Sequence, residues 1–462
     1  MWIGLLYAIM GLATFLLHRA EGGGLSPPSQ TTIESVKAFR DLAASAMVLE
    51  DITKSRPYSL ECLMLCIESE YLDGAPPIKL WVSIGVAMRL MLRMGYHRDS
   101  SLYNNITCFQ GEMRRRVWHF VYQLDVLFSA LVGLPNMIRN IQSDTEPPHN
   151  LLDADFSPGI TCLPESRPVS EITPSLYSIV KGRICSVFSA TAEISHAVIP
   201  PKYSEVMDLD SSSQESYVLI PPALRVRPMD QSIIDPPDLI MNRFNLELLH
   251  LKTRCILHRR YLIEARMDSH FEYSRRTCVD AARRLLAHHL TIYDACQPGG
   301  RLSRFRWYMS TLSTHDFLLA AMIICLELDL ELKAGLDQVN NPSRQTNFDR
   351  KEMIDALRAS YDVFRISENS SWKANQASKA MAIMLRKVDG APALDADWNI
   401  DEARYQETAA VFEYSAGFGW PGDVDESTRL GDMLDTPLNL DWLRWDKYIN
   451  GKEELSPELD YH

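Results

Sequence analysis

The chain has 462 residues, of which 46% are hydrophobic and 9% aromatic, the composition of a globular protein that can bury a large core. Its net charge of −13 is concentrated at one end, because residues 391–462 carry 17 acidic and 5 basic side chains, a net −12. The rest of the chain is nearly neutral, which argues against a protein that binds nucleic acid through its own surface.

The nine cysteines are scattered along the chain and include no Cys-x-x-Cys pair. Their odd number and their place in apolar stretches favour reduced thiols over a disulfide framework. Cys62 and Cys66 lie one helical turn apart without a further cysteine or histidine nearby. They are therefore predicted to be core residues rather than a metal site.

The chain begins with an apolar run, residues 2–17. A membrane-spanning helix needs about 20 apolar residues, and this run is shorter and includes Gly4 and Gly11. A signal peptide would need a basic start and a cleavage site, and neither is visible. A buried core helix is therefore predicted, with a membrane anchor as the second alternative. The Gly-, Pro- and Ser-rich residues 22–30 are predicted to form a loop.

Two amphipathic helices are predicted in the most informative stretch of the chain. The first covers about residues 78–94 and ends at Gly95, a residue type that readily adopts the left-handed conformation found after helices. The second covers residues 112–132, where apolar residues recur at i, i+4, i+7, i+11 and i+14 from Val117. Each helix therefore has one apolar face to bury.

The second helix is bounded by characteristic residues. Glu112 lies in its predicted first turn, where a negative charge suits the helix dipole. Gly133 and Pro135 end it, because proline cannot continue a helix. Trp118 lies at the edge of the apolar stripe and is expected to cover the seam between two helices. Asp125 flanks the same seam and is expected to pair with an inward arginine, as a structural lock rather than a binding pocket.

The candidates for that arginine are Arg89 and the run Arg114-Arg115-Arg116. Three consecutive residues of a helix point in three directions, so a continuous phosphate-binding stripe is not expected. We expect one of the three to face inward and the others to face solvent.

Several separate elements occur here in a fixed order. They are Met94-Gly95-Tyr96-His97-Arg98-Asp99, Glu112-Met113-Arg114-Arg115-Arg116-Val117-Trp118, Tyr122-x-x-Asp125, Ser129 and Gly133-Leu134-Pro135. This order resembles the regulatory middle homology domain of fungal zinc-cluster transcription factors. The signature positions that carry the resemblance are Gly95, Arg98, Arg114, Arg116, Trp118, Tyr122, Asp125, Gly133 and Pro135. Residues 2–9 also resemble the start of that domain.

The remaining chain divides by composition. Residues 1–200 are predicted to form a first helical block, and residues 238–390 a second one. The polar, proline-rich residues 201–237 between them are predicted to be a flexible linker. Residues 391–462 form an acidic tail that is rich in aromatic residues and predicted to be partly disordered. Strand-like alternation is rare, so the fold class is all-α.

The second block carries further elements of the resemblance. Leu257-His258-Arg259-Arg260-Tyr261-Leu262 is similar to a family element in which proline usually stands at the position of Arg260. Cys278-Val279-Asp280-Ala281-Ala282 is also family-like. The resemblance therefore covers most of residues 1–390.

Enzyme motifs are weak in this sequence. The segment 417–422 matches G-x-G-x-x-G, but Pro421 interrupts it and acidic residues follow, so a dinucleotide site is not predicted. Glu327, Asp329 and Glu331 are the nearest approach to a magnesium-binding aspartate cluster. Their i, i+2 spacing divides them between helix faces. No catalytic residue is predicted.

The acidic tail has two alternative interpretations. Acids are interleaved with aromatic residues such as Trp398, Tyr405 and Phe412, which is typical of a disordered activation segment. Such a segment would contact the transcription machinery or co-regulators. Alternatively, the tail packs back on the body, since Asp441-Trp442-x-x-Trp445-Asp446 resembles a terminal element of many relatives.

The resemblance implies a nuclear regulator of RNA polymerase II transcription without enzymatic activity. Family members bind DNA through an N-terminal six-cysteine module that holds two zinc ions, and that module is missing from this sequence. Two explanations are compatible with the sequence: the gene model is truncated, or this is a natural form of the protein that lacks the DNA-binding module. No cofactor, no direct DNA contact and no membrane contact are therefore expected here, and a homodimer is compatible with the resemblance. The alternative is a membrane-anchored all-helical enzyme that uses the apolar N-terminus.

Overall fold

The computed structural model describes residues 1–21, 30–195, 197, 199–305, 313–337, 349–367 and 372–388. Within these ranges it contains thirteen α-helices and no β-strand, which confirms the predicted all-α fold class. In chain order the helices are α1 (Trp2–Glu21), α2 (Gln30–Leu49), α3 (Ser59–Leu72), α4 (Pro77–Arg93), α5 (Cys108–Leu131), α6 (Pro174–Ser195), α7 (Tyr203–Val218), α8 (Pro237–His258), α9 (Tyr261–Met267), α10 (Glu272–Ala295), α11 (Ser313–Asp337), α12 (Arg350–Ser367) and α13 (Trp372–Val388).

One connected hydrophobic core runs through the described helices, from Ala8 in α1 to Met381 in α13. Helix α8 is the central element, because most of its side chains are buried and it packs against both α6 and α10. The two predicted helical blocks therefore share a core.

The segment 201–237 differs from the prediction of a flexible linker. It contains helix α7, which begins with a capping bond from the Lys202 backbone N–H to the Glu205 carboxylate (3.2 Å). Val206 packs with Leu257 of α8, and Asp210 one turn later is buried. The prediction of a flexible linker is wrong for α7, because the face that this helix buries is largely polar and leaves no apolar stripe in the sequence.

Helix α1 forms an antiparallel hairpin with α2. Gly4 faces Ala46, and Gly11 faces Phe39. A Cβ atom on Gly4 would lie only 2.9 Å from the Ala46 Cβ, so the close approach of the two helices requires glycine there. The prediction of a buried helix is correct for this face only, because most apolar side chains on the opposite face are exposed. None of the described helices has the length and apolar character that a membrane crossing requires.

Helix α5 begins one turn earlier than predicted. The Thr107 hydroxyl accepts a hydrogen bond from the Gln110 backbone N–H, and the Gln110 side chain accepts one from the Thr107 N–H in return. This reciprocal capping box starts the helix at Cys108. Glu112 is consequently not in the first turn but one turn inside the helix, where it is fully buried.

Candidate functional site

The signature residues lie where helices α4 and α5 meet the segment that follows them. Gly95 ends α4 with a φ of +72°, a backbone conformation that suits glycine. Arg114 donates to the carbonyl oxygen of Met94 (2.8 Å), and its guanidinium lies 4.2 Å from the centre of the Tyr96 ring. A cation at a helix C-terminus interacts favourably with the dipole. Arg114 therefore fixes the end of α4 against α5.

Arg115 binds the buried carboxylate of Asp99 through two parallel bonds of 2.8 and 2.7 Å. Asp99 also accepts the backbone N–H groups of Ser101 and Glu146 (2.9 and 3.1 Å). The hydrogen bonds from Arg115 hold the pKa of Asp99 well below its usual range. This carboxylate thus ties the loop after α4, helix α5 and the segment around Glu146 together.

Signature residue Arg98 lies on the exposed side of the same junction. Its Nε donates to the Asp144 carboxylate (3.0 Å), which also accepts the backbone N–H of Asp99 (2.8 Å). The pair is exposed to solvent, where ion pairs contribute little to stability. Its effect is to fix where the segment after α5 passes the end of α4.

Arg116 and Glu112 form the third contact on α5. The fully buried Glu112 accepts from the Arg116 Nε (3.0 Å) and lies 2.9 Å from the Nδ1 of His149. Arg116 also donates to the Leu151 carbonyl oxygen (3.0 Å) and the Asp153 carboxylate (2.7 Å). All three consecutive arginines are therefore bonded within the protein. The expectation that two of them face solvent is wrong, since the segment after α5 folds back over them.

Asp125 does not pair with an arginine. Its Oδ2 atom accepts the backbone N–H groups of Met137 (2.8 Å) and Ile138 (2.9 Å), and the Ser129 hydroxyl hydrogen-bonds to the same carboxylate. The Trp81 indole N–H in turn donates to Ser129 (2.9 Å). Burial raises the pKa of Asp125, and the hydrogen bonds offset only part of this effect.

The prediction of an Asp125–arginine lock is wrong because of the turn that follows α5. Gly133, with a φ of +72°, and Pro135 reverse the chain and bring the N–H groups of the short 3-10 turn Ile138–Asn140 back to α5. Nothing at the sequence level distinguishes a carboxylate that accepts backbone N–H groups from one that pairs with a cation.

The two aromatic signature residues face the core. Trp118 is 6% exposed, and its ring centre lies 6.5 Å from that of His97. Tyr122 is largely buried, and burial raises the pKa of its hydroxyl, which also hydrogen-bonds to Ser186 of α6. The charged and aromatic signature side chains are thus all engaged within the protein, as is expected of a structural scaffold.

A second polar cluster joins α7, α8 and α10. Asp210 accepts from Arg254 Nε (3.0 Å) and from the Tyr273 hydroxyl (2.5 Å), and its Oδ1 lies 3.1 Å from His258 Nε2. The opposite ring nitrogen of His258 lies 2.9 Å from Ser274 Oγ. Burial alone would raise the pKa of Asp210, but these bonds and the nearby positive charges outweigh it and lower the pKa.

The serine, histidine and aspartate of this cluster have the order of a hydrolytic triad. The Ser274 side chain is nevertheless fully buried and also bonded to the Tyr203 hydroxyl (3.0 Å), and His258 is fully buried. A substrate carbonyl could not reach the serine oxygen, so the arrangement serves to hold three helices together. His258 and Ser274 belong to family-like elements of the sequence, but Asp210 on α7 had no sequence signal.

Glu327, considered above as a metal ligand, is fully buried in α11. Its Oε1 atom accepts from Arg266 (2.5 Å) and from Arg275. Among the described residues, no group of three or more His, Cys, Asp or Glu side chains is placed to hold a metal ion.

Comparison with known protein families identifies the family to which this chain belongs. A family model described as "Fungal specific transcription factor domain" matches residues 3–194. The Zn(2)-C6 fungal-type transcription factor mpsB of Macrophomina phaseolina is 34% identical over 499 aligned positions, which cover 100% of this chain and 67% of that protein. The chain belongs to the fungal Zn(2)-C6 transcription factors. The family match favours the regulator hypothesis over that of a membrane-anchored enzyme.

Other members of the family are similar over most of the chain. The Zn(2)-C6 fungal-type transcription factor pigI of Monascus ruber is 40% identical over 390 residues, 84% of this chain and 47% of that protein. The fusarisetin A cluster transcription factor fsa6 of Fusarium sp. is 35% identical over 445 residues, 95% of this chain and 56% of that protein. The chain thus spans about half to two thirds of the length of these relatives. No solved structure matches it.

Proposed function

We propose that this chain is the regulatory part of a nuclear transcription factor that controls RNA polymerase II transcription of a gene cluster. The observation that carries the proposal is the ordered signature of residues 80–148, whose side chains form the intramolecular contacts of a scaffold in a family of transcription factors. The name of the Fusarium relative refers to one cluster, that of fusarisetin A. That name says nothing about which gene cluster this chain controls, and the experiment below identifies it.

The proposed division of labour has three parts. The helical body provides a scaffold, because the charged residues of its signature region bond to other parts of the body. The acidic aromatic tail, residues 391–462, contacts the transcription machinery or co-regulators. DNA contact comes through a module with two zinc ions and not through the body, since no Cys-x-x-Cys pair occurs in the 462 residues and the body is nearly neutral.

The proposal is tested by deleting and overexpressing the gene in its host and measuring all transcripts. We expect a contiguous group of genes to fall together in the deletion strain and to rise together on overexpression. A fluorescent fusion is expected in the nucleus. Unchanged transcripts in both strains, or a fusion that stays outside the nucleus, would refute the proposal.

The role of the tail has a separate test. The chain is fused to a heterologous DNA-binding domain upstream of a reporter gene, with and without residues 391–462. We expect loss of reporter expression without the tail. Replacing Trp398, Tyr405 and Phe412 by alanine should have the same effect, whereas alanine in place of Asn399, Gln406 and Thr408 is the matched control. Full expression without the tail would show that activation comes from another part of the chain.

A further inference from the structure

Two cysteines that are far apart in the sequence lie close together at the start of α5. The thiol of Cys108, the first residue of this helix, donates to the carbonyl oxygen of Thr161 (3.0 Å). Cys162 follows Thr161 directly, and a planar trans peptide places that oxygen about 2.8 Å from the Cys162 Cα. The Cys108 sulfur therefore lies within about 6 Å of the Cys162 Cα.

The loop that carries Cys162 is anchored beside the first turn of α5. Phe156 is buried, and its ring centre lies 5.5 Å from that of Phe109 in α5. The Arg116 guanidinium covers the same Phe156 ring at 4.7 Å. A hydrogen-bonded turn over residues 157–160 follows and leads the chain to Cys162. The closeness of the two cysteines is thus a property of the fold.

Both members of this pair can be reached from solvent. All nine cysteines lie in the described parts of the chain, where Cys162 is exposed, Cys108 and Cys66 are half-buried, and the other six are buried. Oxidants react with accessible thiols in the thiolate form. The hydrogen bond with Cys62 and burial raise the pKa of Cys66 well above its usual range, so thiolate is scarce there. Cys108 and Cys162 therefore form the accessible pair.

The separation of the pair is compatible with a disulfide after a small movement. A disulfide joins Cα atoms about 4.4–6.8 Å apart. The Cys108 side chain and the distances above leave the two Cα atoms at most about 9 Å apart. Residues 157–159 and 161–162 are exposed, so a loop shift of roughly 2 Å closes this gap without disturbing the core. Rotation about the Cα–Cβ bond of Cys162 then turns its sulfur towards Cys108.

We propose that Cys108 and Cys162 are a redox modification site, which a peroxide converts to a disulfide and a small cellular thiol reduces again. Transient disulfides of this kind occur in proteins of reducing compartments, where they sense oxidants. Exposed disulfides are also the ones that thiols reduce most readily. The bond would tie the first turn of the signature helix α5 to the loop after residue 156. The proposal goes beyond the function proposed above and does not depend on it.

The two steps balance with hydrogen peroxide as the oxidant. The Cys162 thiolate attacks one peroxide oxygen, so that an S–O bond forms, the O–O bond breaks and the other oxygen leaves as water. The Cys108 thiolate then attacks the sulfur of this sulfenic acid, so that the S–S bond forms, the S–O bond breaks and a second water leaves. The two thiols lose two electrons and two protons, and the peroxide is reduced to two waters. Cys162 reacts first because it is the more exposed.

The test is peptide mapping of the oxidised full chain. The chain is reduced, freed of reductant and treated with hydrogen peroxide, and its remaining thiols are alkylated before digestion with trypsin. Trypsin, which does not cleave before proline, leaves Cys108 in peptide 99–114 and Cys162 in peptide 140–181, each as the single cysteine of its peptide. We expect mass spectrometry to find these two peptides joined, and to find them separate after treatment with dithiothreitol.

Three variants assign the bond to this pair. Cys108→Ser and Cys162→Ser should each abolish the joined peptide, whereas Cys66→Ser, the matched control, should leave its yield unchanged. In Cys108→Ser the oxidation should stop at the sulfenic acid of Cys162, which dimedone traps. Thermal melts of the reduced chains show that each variant is folded.

Absence of the joined peptide from the folded wild-type chain would overturn the proposal. So would a Cys162 disulfide between two chains, seen as a dimer on a non-reducing gel. The same holds if the joined peptide forms in equal yield from the chain unfolded in urea, because the fold would then not be what brings the two sulfur atoms together.

Discussion

Asp125 and Asp210 are both buried carboxylates, and the protein stabilises them in opposite ways. Asp125, in the signature region, is held by two backbone N–H groups and a hydroxyl. Asp210, in the second half, has an arginine, a histidine and a tyrosine around it. Burial raises the pKa of Asp125, whereas the cations and the tyrosine lower that of Asp210. The first carboxylate shapes a turn, and the second joins three helices through charge.

The comparison predicts the largest loss of stability at Asp210. Asp210→Ala should lower the free energy of unfolding by about 3–5 kcal/mol, because it strands the buried charge of Arg254. Asp210→Asn should cost nearly as much, since an amide brings no charge to replace the carboxylate. Urea denaturation measures both. Asp208→Ala is the matched control, since Asp208 is exposed on the same helix. A cost below about 1 kcal/mol for Asp210→Ala would mean that the Arg254 guanidinium reaches solvent when Asp210 is removed, as in an exposed ion pair.

Asp125→Ala is expected to cost less, about 2–4 kcal/mol, because it leaves two buried N–H groups without an acceptor but strands no charge. The loss should be local. Hydrogen exchange is expected to quicken at Met137 and Ile138, whereas the amides of α8 keep their protection. If Asp125→Ala destabilised the protein more than Asp210→Ala, the distinction between a turn-shaping and a helix-joining carboxylate would be wrong.

These two residues also show what the sequence could predict. Gly95, Gly133 and Pro135 were identified correctly as helix ends, because backbone conformation is a local property of the residue type. The all-α class followed from periodicity in the same way. Gly133 and Pro135 indicate that the chain turns after α5, but which backbone N–H groups the turn brings to Asp125 depends on tertiary packing, and no residue type indicates that.

In the second half of the chain, the contacts that the sequence could not predict join residues that are farther apart along the chain. Asp210 meets Arg254 and Tyr273, which follow it by 44 and 63 residues. A polar helix such as α7 looks like a linker until these partners are known. The same limit applied to α1, whose apolar run predicted burial. Periodicity could not show that only one of its faces has a neighbour.

A third buried group, His289, also makes the stability of the protein depend on pH, in addition to Asp125 and Asp210. Burial lowers the pKa of His289 to about 3, and its Nδ1 lies 2.7 Å from Ser360 Oγ. In the unfolded chain the imidazole binds a proton near pH 6.5. The unfolded state therefore binds more protons between about pH 6.5 and pH 3, and stability falls as the pH decreases through that window.

We expect the wild-type chain to lose roughly 2 kcal/mol of stability at this site between pH 6.5 and pH 5. In His289→Asn, which cannot titrate, the slope of stability against pH should be shallower over that range. Denaturation at a series of pH values measures the slope. Equal slopes in the two chains would show that His289 binds a proton in the folded state as readily as in the unfolded state, and that burial does not lower its pKa.

The smallest effect, and the sharpest test of the comparison, is expected for Asp125→Asn. The amide oxygen can accept both N–H groups that the carboxylate accepts, and Ser129 can accept from the amide nitrogen, since a hydroxyl has two lone pairs. The cost at pH 7 should be about 1 kcal/mol or less. Asparagine should therefore rescue most of what alanine loses at this position, in contrast to its expected failure at Asp210.

The pH dependence of this variant has a definite sign. The folded-state pKa of Asp125 is raised above the unfolded value near 3.9, so the ionised carboxylate weakens the wild-type fold at neutral pH, and this penalty is relieved as the pH falls toward 4. The stability gap between wild type and Asp125→Asn should consequently widen from pH 7 to pH 4. The gap for Asp210→Asn should stay constant over the same range. Because the folded-state pKa of Asp210 is lowered, its contribution to stability is lost only as the pH falls below about 3.9, where the unfolded chain takes up the proton first. Parallel behaviour of the two gaps would mean that both carboxylates are held in the same way.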